Sequence, residues 1–147
     1  MASHYRKLAL TLSINAVLMF FITYAMIDTV DHFYVNINRV YMSLMMVAPM
    51  AMLMLFVMRG MYQNARLNAI LHALFAGVFI ASFLLARTQT PVGNEQFLRS
   101  MIPHHSSAIV MCEQSSITDQ QIVELCGQIV KAQKDEIAQM KNILERY

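Results

Sequence analysis

Apolar positions along this chain fall into two distributions. From Leu8 to Ala86 they form three long runs, Leu8–Ile27, Val40–Met58 and Leu67–Ala86, whereas after Arg87 they thin to a spacing of alternating fours and threes among polar residues. A run of about twenty residues spans the ~30 Å hydrocarbon core as a helix, so the first part predicts three transmembrane helices at about 8–27, 40–58 and 67–86. The first run is too long for the apolar stretch of a signal peptide, and Asp28-Thr29-Val30-Asp31 offers no small-residue cleavage site. A retained membrane helix is therefore expected.

Residues 88–93, with Pro91 and Gly93, read as a short linker. Asn94 is the expected N-cap of a helix reaching about Ser115, with a kink or a fresh start at Pro103, whose ring crowds the carbonyl of Arg99. Ser115-Ser116-Ile117 makes the turn, and Thr118-Asp119-Gln120-Gln121 reads as a capping box opening a last helix to about Arg146. The expected seams are Phe97, Met101, His104, Ala108, Met111 and Ser115 on the first helix, and Ile122, Cys126, Ile129, Gln133, Glu136, Met140, Ile143 and Tyr147 on the second. The fold class is thus all-α: a three-span membrane domain over 1–87, then an extramembrane antiparallel helical hairpin over 94–147. A hairpin this small covers its seam poorly. It is expected to complete a four-helix bundle by forming a homodimer or higher homo-oligomer.

Composition agrees with a membrane protein: 57% hydrophobic residues, 14% charged and a mean hydropathy of +0.45. The formal charge of +2 comes from small basic clusters at the ends of apolar runs, Arg6 and Lys7, then Arg59 and Arg66. That is a topology signal and no nucleic-acid footprint. It places the N-terminus and the 59–66 loop in the cytoplasm, and the C-terminal domain in a periplasm or outside the cell, as for a protein of a bacterial inner membrane. Asn15 and His72, polar within the first and third spans, are expected to form interhelical hydrogen bonds.

Methionine changes the picture most. Eight of the fourteen fall between Met42 and Met61, and Met101, Met111 and Met140 lie in the C-terminal seams. Met101-Ile102-Pro103-His104-His105 puts two imidazoles beside a thioether, and at about 100° per residue Met101, His104, His105, Met111 and Cys112 fall on one helical face around Ala108. Gln133 and Glu136, polar at seam positions, should lie within a turn or so of Met101 and His104 if residues are counted back from the turn. Thioether and imidazole together suit copper, above all Cu(I), or silver. Zinc and a di-iron carboxylate site are disfavoured, since there is no four-ligand thiol set and no Glu-x-x-His motif. Methionine is also common core filler and a seam histidine is commonly hydrogen-bonded, so spacing alone leaves a structural role open. Cys112 and Cys126 count as about four residues out of level, which predicts awkward geometry for an intrachain disulfide and leaves an interchain one open.

The signatures M-x-P-H-H-x-x-A-I-x-M from Met101 and Q-x-x-E-I-x-x-M from Gln133, together with Phe97, Glu124-Leu125 and Ile129, resemble the domain of unknown function 305 family over about a third of the chain. The resemblance implies a ferritin-like helical bundle, usually exported and in several cases linked to copper or silver. It implies metal-ligand roles for Met101, His104, His105, Met111 and Met140, with Glu136 and Gln133 at the site or next to it. Ser106-Ser107 and Cys112, the last placed beside the ligands, depart from the usual pattern. The His-His unit occurs once here and twice in longer members, which fits a dimer.

The reading is a membrane-anchored binding protein for copper-like ions in metal handling or resistance. No nucleophile with its base and no phosphate loop marks an enzyme. Two alternatives remain. One is a copper-permeating protein with Met42, Met46, Met50, Met54 and Met58 as a stripe across the second span and Asp28, Asp31 and His32 at its outer mouth. The other is a structural dimerisation module without metal.

Overall fold

A computed structural model describes residues 2–147, with side chains from Ser3 onward. Five α-helices follow one another: α1 Ala2–Ile22, α2 Ile37–Val57, α3 Ala65–Thr88, α4 Asn94–Gln114 and α5 Gln120–Leu144. A short 3-10 turn, Val30–His32, lies between α1 and α2, and no strand occurs among the described residues. The all-helical expectation holds. The chain divides into two compact units, residues 1–23 with 38–91, and residues 24–37 with 92–147.

The first unit contains three helices long and apolar enough to cross a membrane, Ser3–Ile22, Ile37–Val57 and Ala65–Thr88, with mean hydropathies of 1.4, 2.1 and 2.3. The first span differs from the expected 8–27: its helix begins earlier and ends at Ile22. Thr23 bonds its hydroxyl to the Phe20 carbonyl at 2.6 Å, and Arg39 donates to the Thr23 carbonyl. A side-chain bond of this kind competes with helix continuation, and a cation at a helix C-terminus is favourable. Leu8 and Leu12 of α1 form a small core with Val47, Ala51 and Leu55 of α2 and Tyr62. Between helices in a bilayer such contacts act through close packing rather than through removal of apolar surface from water. Most of the remaining surface is apolar, including Leu10, Ile14, Phe21, Leu53, Phe56 and Phe83, as suits a lipid-facing exterior. Asn15 donates to the Met50 sulfur across α1 and α2 at 2.8 Å, as expected, whereas His72 bonds the Asn68 carbonyl within its own helix at 2.8 Å. Asn64 caps α3 by accepting from the Leu67 N–H at 2.9 Å.

The second unit is the α4–α5 hairpin plus a strap, residues 24–37, which the chain order alone had assigned to the membrane domain. Tyr24 is buried there against Phe33, ring centroids 4.3 Å apart, and donates to the Tyr34 carbonyl at 2.7 Å. The hairpin core is Leu98, Ile102, Ile109, Ile137 and Met140, flanked by Tyr34, Met101, Val130, Ile143 and Leu144. On α4 this is the neighbouring stripe to the expected seam, turned by about 100°: Phe97, His104 and Met111 are exposed, while Leu98, Ile102, Ser106 and Ile109 are buried. The strap is the physical reason. It covers a second side of α4, so the most buried positions lie between α5 and the strap.

Two end signals also shift. Gly93 takes the N-cap position of α4, and Asn94 instead donates to the Tyr147 hydroxyl at 3.0 Å. Asp119 caps α5, accepting from the N–H groups of Gln121 at 2.9 Å and Ile122 at 3.2 Å. α4 runs unbroken through Pro103, with no fresh start.

Candidate metal site

Because the connection from Ser115 to Asp119 is longer than the expected turn, α5 is displaced along α4 relative to a count back from Ser115-Ser116-Ile117. A count back from that turn puts His104 level with about Val130. Instead His105, the next residue, meets Glu136, and Glu113 pairs with Lys134 at 2.9 Å. The same shift corrects the cysteines. Cys112 and Cys126 face each other with Cα atoms 5.3 Å apart and form an intrachain disulfide, so Cys112 is not a neighbour of the ligand set with a free thiol.

His105 points into the hairpin. Its side chain is 14% exposed, and Nδ1 lies 2.8 Å from Oε2 of Glu136, which is 51% exposed. The ring N–H direction does not follow this contact, so Nδ1 is a buried nitrogen in charge-contact range of a carboxylate without a directed hydrogen bond. Met140 is buried in the core beside this level and Met101 packs against the same cluster, while Gln133 is half-buried. Met101 and Met140 thus belong to the hairpin core. His104 and Met111 do not join it: His104 is exposed, with its ring centroid 5.9 Å from that of His105, and Met111 is 60% exposed. Among the described residues no three His, Cys, Asp or Glu side chains converge as a metal cluster.

Residues the sequence reading missed hold the His-His segment in place. Ser106, directly after it, is fully buried, and its Oγ accepts the Asp28 N–H at 2.7 Å and lies 2.9 Å from Nδ1 of His32. On the other side, Asn36, buried in the strap, donates its amide to the Arg99 carbonyl at 3.2 Å. The Pro103 ring was the available signal, since a proline leaves the carbonyl four residues back without its helical donor. Asp31 pairs with Lys141 of α5, next to Met140. Its carboxyl is held below the usual range by hydrogen bonding and charge from Lys141, and burial pushes the His32 imidazole down, with Lys141 adding to the effect.

Asp28, Asp31 and His32 thus find these partners on the hairpin. The stripe itself is not enclosed within one chain: Met42, Met46, Met50 and Met58 are exposed, and Met54 packs against the α1–α2 core. The buried side of α2 is Tyr41, Ser43, Val47, Ala48, Ala51 and Leu55.

The family profile of DUF305, a domain of unknown function, matches residues 44–144 and so takes in most of α2 and all of α3 besides the hairpin. The Uncharacterized protein L153 of Acanthamoeba polyphaga mimivirus is 30% identical over 112 residues, covering 75% of this chain and 72% of that protein. No solved structure matches. With more than half of its length matched, the chain belongs to the DUF305 family.

Proposed function

We propose that this chain is a membrane-anchored binding protein for copper-like soft metal ions, with its site at the His105–Glu136 level of the hairpin. The observation that carries the reading is the Nδ1 of His105, buried, free of a directed hydrogen bond and 2.8 Å from a carboxylate on the facing helix. A metal-ligating histidine commonly turns one ring nitrogen to a carboxylate and binds the ion with the other, so this contact would orient His105 with Nε2 as the donor. Met101 and Met140 supply the soft donors next to it, and Glu136 supplies charge; the donor set fits Cu(I) or Ag(I) better than a hard cation. His104 and Met111 face outward, where a second copy of the hairpin would bring them into a shared bundle, so the reading includes a homodimer.

The hairpin is placed outside the cytoplasm. The positive-inside rule supports this through Arg6, Lys7, Arg59 and Arg66. The Cys112–Cys126 disulfide supports it independently, because such bonds persist in oxidising compartments.

The test is competition of the full chain, held in detergent micelles, against a chromophoric Cu(I) chelator. His105→Ala should lower affinity by an order of magnitude or more, the usual scale for a lost ligand-level interaction. His104→Ala should do so only under conditions where the chain is dimeric. Unchanged affinity in His105→Ala would overturn the site.

A further inference from the structure

The geometry points to a second soft-metal site at the far end of the hairpin, formed by Cys112 and Cys126 when their disulfide is opened. The two cysteines sit on facing helices with Cα atoms 5.3 Å apart. Both are half-buried. They border a cleft of about 310 Å³ that Ile117, Val123, Gly127 and Val130 also line. A Cβ added at Gly127 would meet nothing within 4 Å, so the space beside it is open.

Two thiols so placed are a donor pair for a univalent soft ion. Thiolate is the softest ligand a side chain offers and selects Cu(I). A metal–sulfur bond is on the order of 2.3 Å, so an ion held between the sulfurs needs them at about twice that separation. Rotation about χ1 of the cysteines provides it without separating the helices, and the cleft provides the room.

The chemistry balances with a dithiol reductant. The reductant attacks one sulfur, passes through a mixed disulfide and leaves as its own disulfide. The Cys112–Cys126 bond thereby takes up two electrons and two protons and becomes two thiols. Coordination of the ion then replaces both S–H bonds by S–metal bonds and releases two protons. Oxidation reverses the sequence, so the disulfide closes this site while leaving the His105 level untouched. The chain would hold one more soft ion reduced than oxidised.

This site does not rest on the His105 reading, and the same titration separates them. Full-length protein in detergent is titrated anaerobically with Cu(I) against a chromophoric chelator, once oxidised and once after treatment with a phosphine reductant that is then removed. The wild type should take up one further ion per chain when reduced, and that ion should protect the thiols from alkylation. His105→Ala should show the same increment. Cys112→Ser/Cys126→Ser should show none, and it is compared with the reduced wild type, which equally lacks the cross-link. Equal uptake by oxidised and reduced wild type overturns the site. So does an increment that survives in the double serine variant.

Discussion

Asn36 donates its side-chain amide to the main-chain oxygen of Arg99, 3.2 Å away, the one carbonyl that Pro103 deprives of its helical N–H. The amide is 2% exposed and also bonds the Tyr34 carbonyl at 2.9 Å. Asn36→Ala would leave the Arg99 carbonyl unpaired, while the Tyr34 carbonyl keeps its bond from Tyr24, and a loss of about 1–3 kcal/mol is expected. Pro103→Ala restores an N–H to Arg99, so the double variant Asn36→Ala/Pro103→Ala should lose about 1 kcal/mol less than the sum of the singles. Denaturant unfolding of the four proteins in one detergent checks this, and strict additivity would show that the strap does not satisfy that carbonyl.

The strap should loosen as pH falls. The His32 imidazole is pushed below its ordinary value, so below about 6.5 the unfolded chain takes up the proton first and folded stability declines. Asp31, lowered by Lys141, adds stability above about 3.9 and loses it as pH drops through its folded value. The two act in the same direction in separate windows. Thermal midpoints measured between about pH 7.5 and 5.5 should fall less for His32→Gln than for the wild type. An NMR titration of His32 with a midpoint at or above the ordinary histidine value would contradict this.

Core substitutions distinguish the observed packing stripe from the one written in the 4-3 pattern. Ile102 is fully buried, and Ile102→Ala should cost about 2–5 kcal/mol. Met111, on the periodic seam but 60% exposed, should cost less than about 0.5 kcal/mol when changed to Ala in a monomeric preparation. Equal losses would restore the periodic seam. Three apolar spans, the hairpin and, to within a residue, the start of its last helix were legible in the sequence because length, periodicity and capping chemistry act locally. The strap was not legible. Its polar residues bind side chains and carbonyls far along the chain, and nothing in a hydropathy pattern announces that.

For the candidate site, the residue types were legible and their register was not. His105 meets Glu136, and Met101 and Met140 lie in the hairpin core, yet His104 and Met111 share the same helical arc on paper and face outward. A wheel diagram assigns a face but not which arc of it the neighbour covers, and here two neighbours compete for α4. The level of α5 was likewise set by the conformation from Ser115 to Asp119, which no periodicity encodes.

That register also decides the cysteines, and it yields the most direct stability prediction. The Cys112–Cys126 bond closes a loop with a sequence separation of 14. By loop-closure entropy a cross-link of this length is worth about 3 kcal/mol. Cys112→Ser/Cys126→Ser should lower unfolding stability by about that much, and reduction of the wild type should produce the same loss. Because the bond lies next to the α4–α5 connection, the loss should be largest there. Hydrogen exchange should rise at the end of α4 and the start of α5, while amides around Ile102 and Ile137, in the core, keep their order of protection. If reduction leaves stability and exchange unchanged, the two helices are held at that end by packing alone, and the half-exposed sulfurs contribute nothing to the fold.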